Sequence, residues 1–478
     1  MLKRIASVVS GLTLAAGLVA VTAQPAQAQQ IGGFDFSRPE VVATGLQVPW
    51  GLAFLPNGDA LVGERNSGRV LRVRPGSTPQ VVATISGVTA IGEGGLLGLA
   101  VSPTFTQDNY VYAYYTSAND NRVIRFSLNS PQTQETILTG IPRGQYHNGG
   151  RIAFGPDRLL YISTGDAGQS ANSQNLNSLG GKILRIHPDG TVPSDNPFPG
   201  SPVYSLGHRN VQGLAWDSDG RLYVSELGQN AWDEVNHVVP GGNYGWPIVE
   251  GIGSDPNYRN PIVTWRTSEA SPSGAAIAND TLFVAALRGQ RLWAVPLDGS
   301  GGAGTPTAVL QGAYGRLRTV AVGPDGWLWL TNTNRDGAGF PRPNDDQILR
   351  FPPVGSTPPS TPPITSSPPN TSQPPLPSGC TATYRIANQW SGGFQAEVTV
   401  TNSGTSPING WTVRWTFSNG QTVTQGWGGI YTQSGAEVTV RNQAWNGVLG
   451  PGASTTTGFI GTWNNATNAV PTLSCTSS

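Results

Sequence analysis

Six times along the chain one phrase returns: an alternating apolar stretch, a turn built from Pro, Asp, Asn or Gly, then a second alternating stretch. The copies are LAFLPNGDALVGE from Leu52, LAVSPTFTQDNYVYAYYT from Leu99, IAFGPDRLLYISTG from Ile152, LAWDSDGRLYVSE from Leu214, AAIANDTLFVAAL from Ala275 and VAVGPDGWLWLTN from Val320. Period-two alternation gives each strand one apolar face, and the turn residues close a hairpin. Recurrence every 45–62 residues leaves room for four strands per copy, the signature of blades arrayed about an axis. The pattern predicts an all-β fold: a six-bladed β-propeller with its ligands on the axis and its function in the loops between repeats.

The ends of the chain add further domains. Lys3 and Arg4 precede an apolar run from Val8 to Val21, and Ala26-Gln27-Ala28 is a small-x-small cleavage site. This is the pattern of a secretory signal peptide over residues 1–28, too short an apolar run to span a bilayer. The expectation is a secreted, extracellular protein with no membrane span. Basic and acidic residues balance at 28 each, which gives no charge excess for nucleic acid or an anionic membrane.

The propeller is expected over 29–351. Residues 352–379 read PPVGSTPPSTPPITSSPPNTSQPPLPSG. That segment has almost nothing to bury and reads as an extended Pro/Ser/Thr linker. Residues 380–478 carry the two cysteines, Cys380 and Cys475, around alternating segments that predict a small β-sandwich. An oxidising compartment permits the cysteines to pair. Trp411 and Trp415 sit in strand patterns and read as core. Trp390, Trp427 and Trp445 sit among Gly, Asn and Gln, where a flat ring matches the apolar face of a pyranose. NQW, QGW and QAWNG resemble the surface tryptophans of family 2 cellulose-binding modules. The resemblance implies a terminal disulfide, Cys380–Cys475, and cellulose binding by Trp390, Trp427 and Trp445.

Within the propeller, His147 lies in a glycine-flanked loop before the third repeat, and Asp166 closes the second strand of the same hairpin. A carboxylate beside an imidazole makes a general base. Arg209 and Asn210 precede the fourth repeat, and Arg316 and Arg318 the sixth. Guanidinium groups entering one axial pocket from separate blades make a carboxylate site. SELGQNAWDEVNHVVPGGNYGWP offers Glu226, Asp233 and Glu234 with a glycine-rich backbone, a set of oxygens that favours Ca²⁺. HExxH, CxxC, P-loop and GxSxG motifs are missing, as is a GxGxxG dinucleotide motif after a strand, which removes support for zinc-hydrolase, phosphate-loop, serine-hydrolase and dinucleotide readings.

HNGGRIAFGPD, GHRNVQGLAWD, SELGQNAWDE, GGNYGWP and GEGGLLGLAVSP together resemble the soluble quinoprotein glucose/sorbosone dehydrogenases, from about Val42 to Arg350. That resemblance implies oxidation of aldose sugars at C1 to lactones with pyrroloquinoline quinone (PQQ) and Ca²⁺. Electrons would pass to an external acceptor whose identity the sequence does not give. It casts His147 as the base, Asp166 as its partner and Arg209 at the quinone and substrate oxygens with Asn210 beside it. Arg316 and Arg318 would bind PQQ carboxylates, and Gly228 and Gln229 would offer carbonyls to Ca²⁺. Glu234 and Tyr244 match a second Ca²⁺ site. Four positions depart from the family: Glu93 for a glutamine near substrate, Tyr146 for an aspartate, Leu227 for a polar residue, and Leu287 for a PQQ-contacting lysine, with Arg288 as a substitute. Two other readings fit the same fold: a non-enzymatic glycan- or protein-binding propeller, and a calcium-dependent lactonase.

Overall fold

The computed structural model describes residues 30–356, 379–443, 446–464 and 468–477. The expected signal peptide and most of the linker lie outside these residues. So do Trp445 and the side chain of Trp390. The chain forms two compact units that divide near residue 360.

In the first unit each repeated phrase is the inner hairpin of a four-stranded antiparallel sheet. The first sheet runs Pro49–Phe54, Ala60–Glu64, Arg69–Val73, Gln80–Thr84 in spatial order. Four more sheets repeat that order along the chain. The sixth differs. Its strands Leu317–Val322, Leu328–Asn332 and Ile348–Phe351 are completed by Glu40–Ala43 from the start of the domain. The result is a propeller-like ring of six sheets.

Each sheet is apolar on both faces, so each packs against two neighbours. One core joins the first and second sheets through Leu61, Val70, Leu99 and Phe126. Another joins the sixth to the first through Val42, Leu52, Val62 and Trp329. The innermost strands crowd the axis. A Cβ on Gly98 would stand 2.3 Å from the Gly150 carbonyl oxygen, so only glycine fits there. Among the described residues, helix is confined to Phe105–Asp108 and a 3-10 turn at Ser170–Gln174. No helix among the described residues is long and apolar enough to cross a membrane.

The second unit consists of two four-stranded sheets around one core that includes Phe394, Trp411, Trp415 and Phe459. Trp411 and Trp415 are buried, as their strand alternation predicts. Cys380 and Cys475 are joined by a disulfide across 95 residues. On the chain-entropy account, closing a loop of that length stabilises the fold by roughly 4–5 kcal/mol.

Candidate active site

The loops at the N-terminal ends of the innermost strands hold the candidate residues. His147 adopts φ +59°, a left-handed conformation costly for a non-glycine residue and common at functional sites. Two backbone bonds fix its neighbourhood: Ala167 N–H donates to the His147 carbonyl (3.0 Å), and Asp166 N–H to the Arg209 carbonyl (2.8 Å). A Cβ on Gly165 would lie within 3.0 Å of both the His147 backbone and Asn210 Oδ1. The glycine in the TGDAG stretch is therefore what lets the third and fourth sheets bring His147, Asp166 and Arg209 together.

His147 Nδ1 lies 2.7 Å from Asp166 Oδ1. Gly168 N–H donates to the same oxygen, and Trp246 Nε1 donates to Oδ2 at 2.9 Å. Burial works to raise the Asp166 pKa, but these bonds and the His147 ring outweigh it and hold the carboxyl below its ordinary range. An ionised Asp166 requires a proton on Nδ1, which leaves the Nε2 lone pair of His147 as the basic one. Glu93 Oε2 accepts the His147 backbone N–H at 2.8 Å. Tyr146, half exposed, lies edge-on to the His147 ring with centroids 4.6 Å apart.

Beside this dyad a cavity of ≈390 Å³ opens on the axis, with Arg65, Arg316, Arg318, Asp336 and Glu93 in its wall. Asp336 Oδ2 accepts from Arg316 Nε at 2.9 Å and lies 3.4 Å from Arg318 Nη2. The Asp336 carbonyl accepts from Arg65 Nη2 at 3.2 Å. Three guanidinium groups thus share the cavity with two carboxylates. Arg318 Nε is buried without a hydrogen-bond partner, and burial, with the neighbouring arginines, draws the Arg318 pKa down to about 10. Such a wall favours an anion.

Arg209 does not line this cavity. It lies behind Leu227, in a small adjoining space with Glu226, Gly228, Glu234, Tyr244, Trp246 and Glu250. Its Nη1 donates to the carbonyls of Leu227 (3.0 Å) and Gly228 (2.5 Å). Its Nε is buried and unpartnered, and its guanidinium stands 5.4 Å from the Trp246 ring. The Leu227 and Gly228 carbonyls thus converge on the Arg209 guanidinium. Gln229 gives its N–H to Glu250 Oε1, as do Asn230, Ala231 and Trp232, bonds that do not engage its carbonyl. Asn210 is fully buried, with its Oδ1 accepting the Gly149 N–H and its Nδ2 without a hydrogen-bond partner, so it braces the base loop. Leu287 lines the cavity, while Arg288 is exposed and does not.

Glu234 is buried opposite Glu226 on the neighbouring strand. Its oxygens accept from Asn236 Nδ2 and Gly251 N–H, and burial followed by Glu226 pushes its pKa up to about 8. The Tyr244 hydroxyl is committed to His237 O and Val239 N–H. Asp233 accepts from Gly228 and Ser271 N–H. No cluster of three or more His, Cys, Asp or Glu side chains among the described residues is arranged for a metal.

Residues 46–342 match the Glucose / Sorbosone dehydrogenase family. The chain belongs to that family. Residues 380–477 match the cellulose binding domain family. The PQQ-bound aldose sugar dehydrogenase of Streptomyces coelicolor is 51% identical, with a TM-score of 0.63 over 66% of this chain and 97% of that one. Quinoprotein glucose dehydrogenase B of Acinetobacter calcoaceticus is 36% identical over 49% of this chain and 57% of its own length. Endoglucanase A of Thermobispora bispora is 60% identical over 89 residues, 19% of this chain and 20% of that protein. The protein is thus a sugar dehydrogenase domain of the glucose/sorbosone dehydrogenase family joined to a family 2 cellulose-binding module.

Sequence reasoning missed several residues of this dehydrogenase site. Arg65 directly follows the first repeated phrase, as Asp166 follows the third, a signal that could have found it, whereas Asp336 lies beyond the end of the sixth and only the fold carries it to the axis. Trp246 is visible in GGNYGWP, yet no spacing rule ties it to Asp166, 80 residues earlier. In the module, Trp427 is half-buried, with its ring close over Gly458.

Proposed function

We propose that the protein is secreted and oxidises an aldose at C1 to its lactone with PQQ and calcium, while its C-terminal module holds it on cellulose. In this reading residues 1–28 are a signal peptide, 29–351 a six-bladed propeller, 352–379 a linker and 380–478 the cellulose module. The observation that carries it is the His147–Asp166 pair beside an arginine-walled cavity.

The residues fit both groups. Arg65, Arg316 and Arg318 would hold the carboxylates of PQQ, and the unpartnered Arg318 Nε is a donor in want of one. The Gly228 carbonyl, which here accepts from Arg209 Nη1, and the Gln229 carbonyl would hold the calcium ion, leaving Arg209 to turn towards the sugar. Bound there, the quinone supplies a two-electron acceptor and calcium a Lewis acid. Asp166 keeps the proton of His147 on Nδ1, so Nε2 takes the proton of the sugar's anomeric hydroxyl. Arg209 offsets negative charge that develops on the sugar oxygen. Trp390, Trp427 and Trp445 would stack on the cellulose surface.

The test is reconstitution of the full chain with PQQ and Ca²⁺, followed by a screen of aldoses with an artificial electron acceptor. Dye reduction by at least one aldose, with lactone as product, is expected. Bound PQQ with no turnover of any aldose overturns the reading.

A further inference from the structure

A second cavity, of ≈410 Å³, lies on the axis at the C-terminal ends of the innermost strands. It shares no lining residue with the arginine cavity. All six sheets contribute to its wall, through Leu52, Leu99, Ile152, Leu214, Ala275 and Val320. Phe54, Phe154 and Trp216, each half-buried, bring aromatic rings to it near the ends of their strands. A sugar would find few partners there, because the Thr319 hydroxyl is already donated to the Trp50 carbonyl.

One cation breaks this apolar lining. Arg151 is 8% exposed and lines this cavity. Its Nε donates to the Gln212 carbonyl at 2.8 Å and its Nη2 to Thr319 Oγ1 at 3.0 Å. Its guanidinium lies 4.2 Å from the Trp50 ring centroid. Among the described residues no carboxylate pairs with it, and Nη1 makes no hydrogen bond. A buried charge without a counter-ion is costly. Burial, and then the nearby Arg318, draws the Arg151 pKa down to about 9.

We propose that this cavity binds a small aromatic monocarboxylate, its ring among the apolar side chains and its carboxylate on Arg151 Nη1. One free guanidinium edge calls for one negative charge. The volume suits a single-ring ligand with room to spare, and the aromatic side chains offer edge or face contacts to a ring. The site is independent of the sugar chemistry proposed above.

The probe is 4-fluorobenzoate, followed by fluorine NMR on the full chain, with and without PQQ and Ca²⁺. Saturable binding at one site is expected in both states. A charge-assisted hydrogen bond makes neutral 4-fluorobenzyl alcohol about tenfold weaker or more, and Arg151→Met should cost 4-fluorobenzoate a similar factor. Val322→Asp places a repelling charge on an exposed residue of the lining without touching the core, so it tests the site even if Arg151→Met fails to fold. It should weaken benzoate binding and leave the unfolding temperature unchanged. The proposal is overturned by the absence of saturable binding, by equal affinity in Val322→Asp and the parent, or by loss of binding once PQQ and Ca²⁺ are loaded.

Discussion

The indole of Trp246 donates to Asp166 Oδ2 over 2.9 Å while Asp166 Oδ1 holds His147. One carboxylate thus orients two rings, and the Trp246 ring in turn lies against Arg209. Trp246→Phe keeps the ring and deletes the donor. Asp166 titrates below its unfolded value of about 3.9. Its contribution to stability is therefore present above that value and is lost as pH falls through the folded one. Without the indole N–H the folded pKa rises and about 1–2 kcal/mol of that contribution disappears. Acid unfolding, followed by circular dichroism, should begin at higher pH in the variant.

His147→Ala and Arg209→Ala should each lower dye-linked sugar oxidation by about a hundredfold or more, the usual cost of deleting a base or a charge stabiliser. PQQ binding, read by absorbance, should persist in His147→Ala. Near-normal turnover in either variant would remove that residue from the chemistry.

The repeats made the inner hairpins legible because both strands of each carry strict alternation around a turn. The outer strands were not, since edge segments such as Gln80–Thr84 are largely exposed and lose the alternating signal. Closure by Glu40–Ala43 was also hidden, because its partner strand lies some three hundred residues away and pairing at that distance leaves no local trace. The His147–Asp166 pairing could be read because both residues flank one hairpin. Asp336 could not, since nothing in its own segment marks it as the anion that Arg316 and Arg318 share.

Lys182 is fully buried, and its ammonium donates to the carbonyls of Asn172, Ser173 and Gly180 at 2.7, 3.1 and 2.8 Å. Asn172 in turn donates to the Asp166 carbonyl at 3.0 Å. Lys182→Met removes three hydrogen bonds; the Asn172 and Ser173 carbonyls keep the N–H groups of Asn175 and Gly207, so the loss falls chiefly on the Gly180 carbonyl and should destabilise the propeller by about 1–3 kcal/mol. Thermal unfolding measures this directly, and an unchanged midpoint would refute it.

Chelation should abolish sugar oxidation, and Ca²⁺ with PQQ should restore it. The basis is the oxygen-rich segment from Glu226 to Tyr244, which contains no cysteine, and the preference of Ca²⁺ for oxygen ligands. Full activity in protein shown by elemental analysis to be metal-free would refute the calcium assignment.

Proteolysis within residues 357–378 should leave turnover of soluble sugar unchanged and abolish retention on crystalline cellulose, because the chain divides into two units near residue 360. Retention driven by ring stacking should change little between low and high salt. A pull-down with intact and cleaved protein decides this, and adsorption of the propeller alone would refute it.

The last strand of the sixth sheet, Ile348–Phe351, is not an edge. It is hydrogen-bonded on one side to Leu328–Asn332 and on the other to Glu40–Ala43. Arg350 fastens both flanks, to Asp325 at 2.9 Å and to Glu40 at 2.8 Å. The chain runs from this strand into the segment that leads to the cellulose module. A pull on that segment, as when flow drags a protein held on a fibre, therefore reaches a strand clamped from both sides. To leave the sheet, that strand must give up two ladders and two ion pairs, where a free edge has one ladder to lose. Ring closure thus doubles as strain relief for the cable that leaves it.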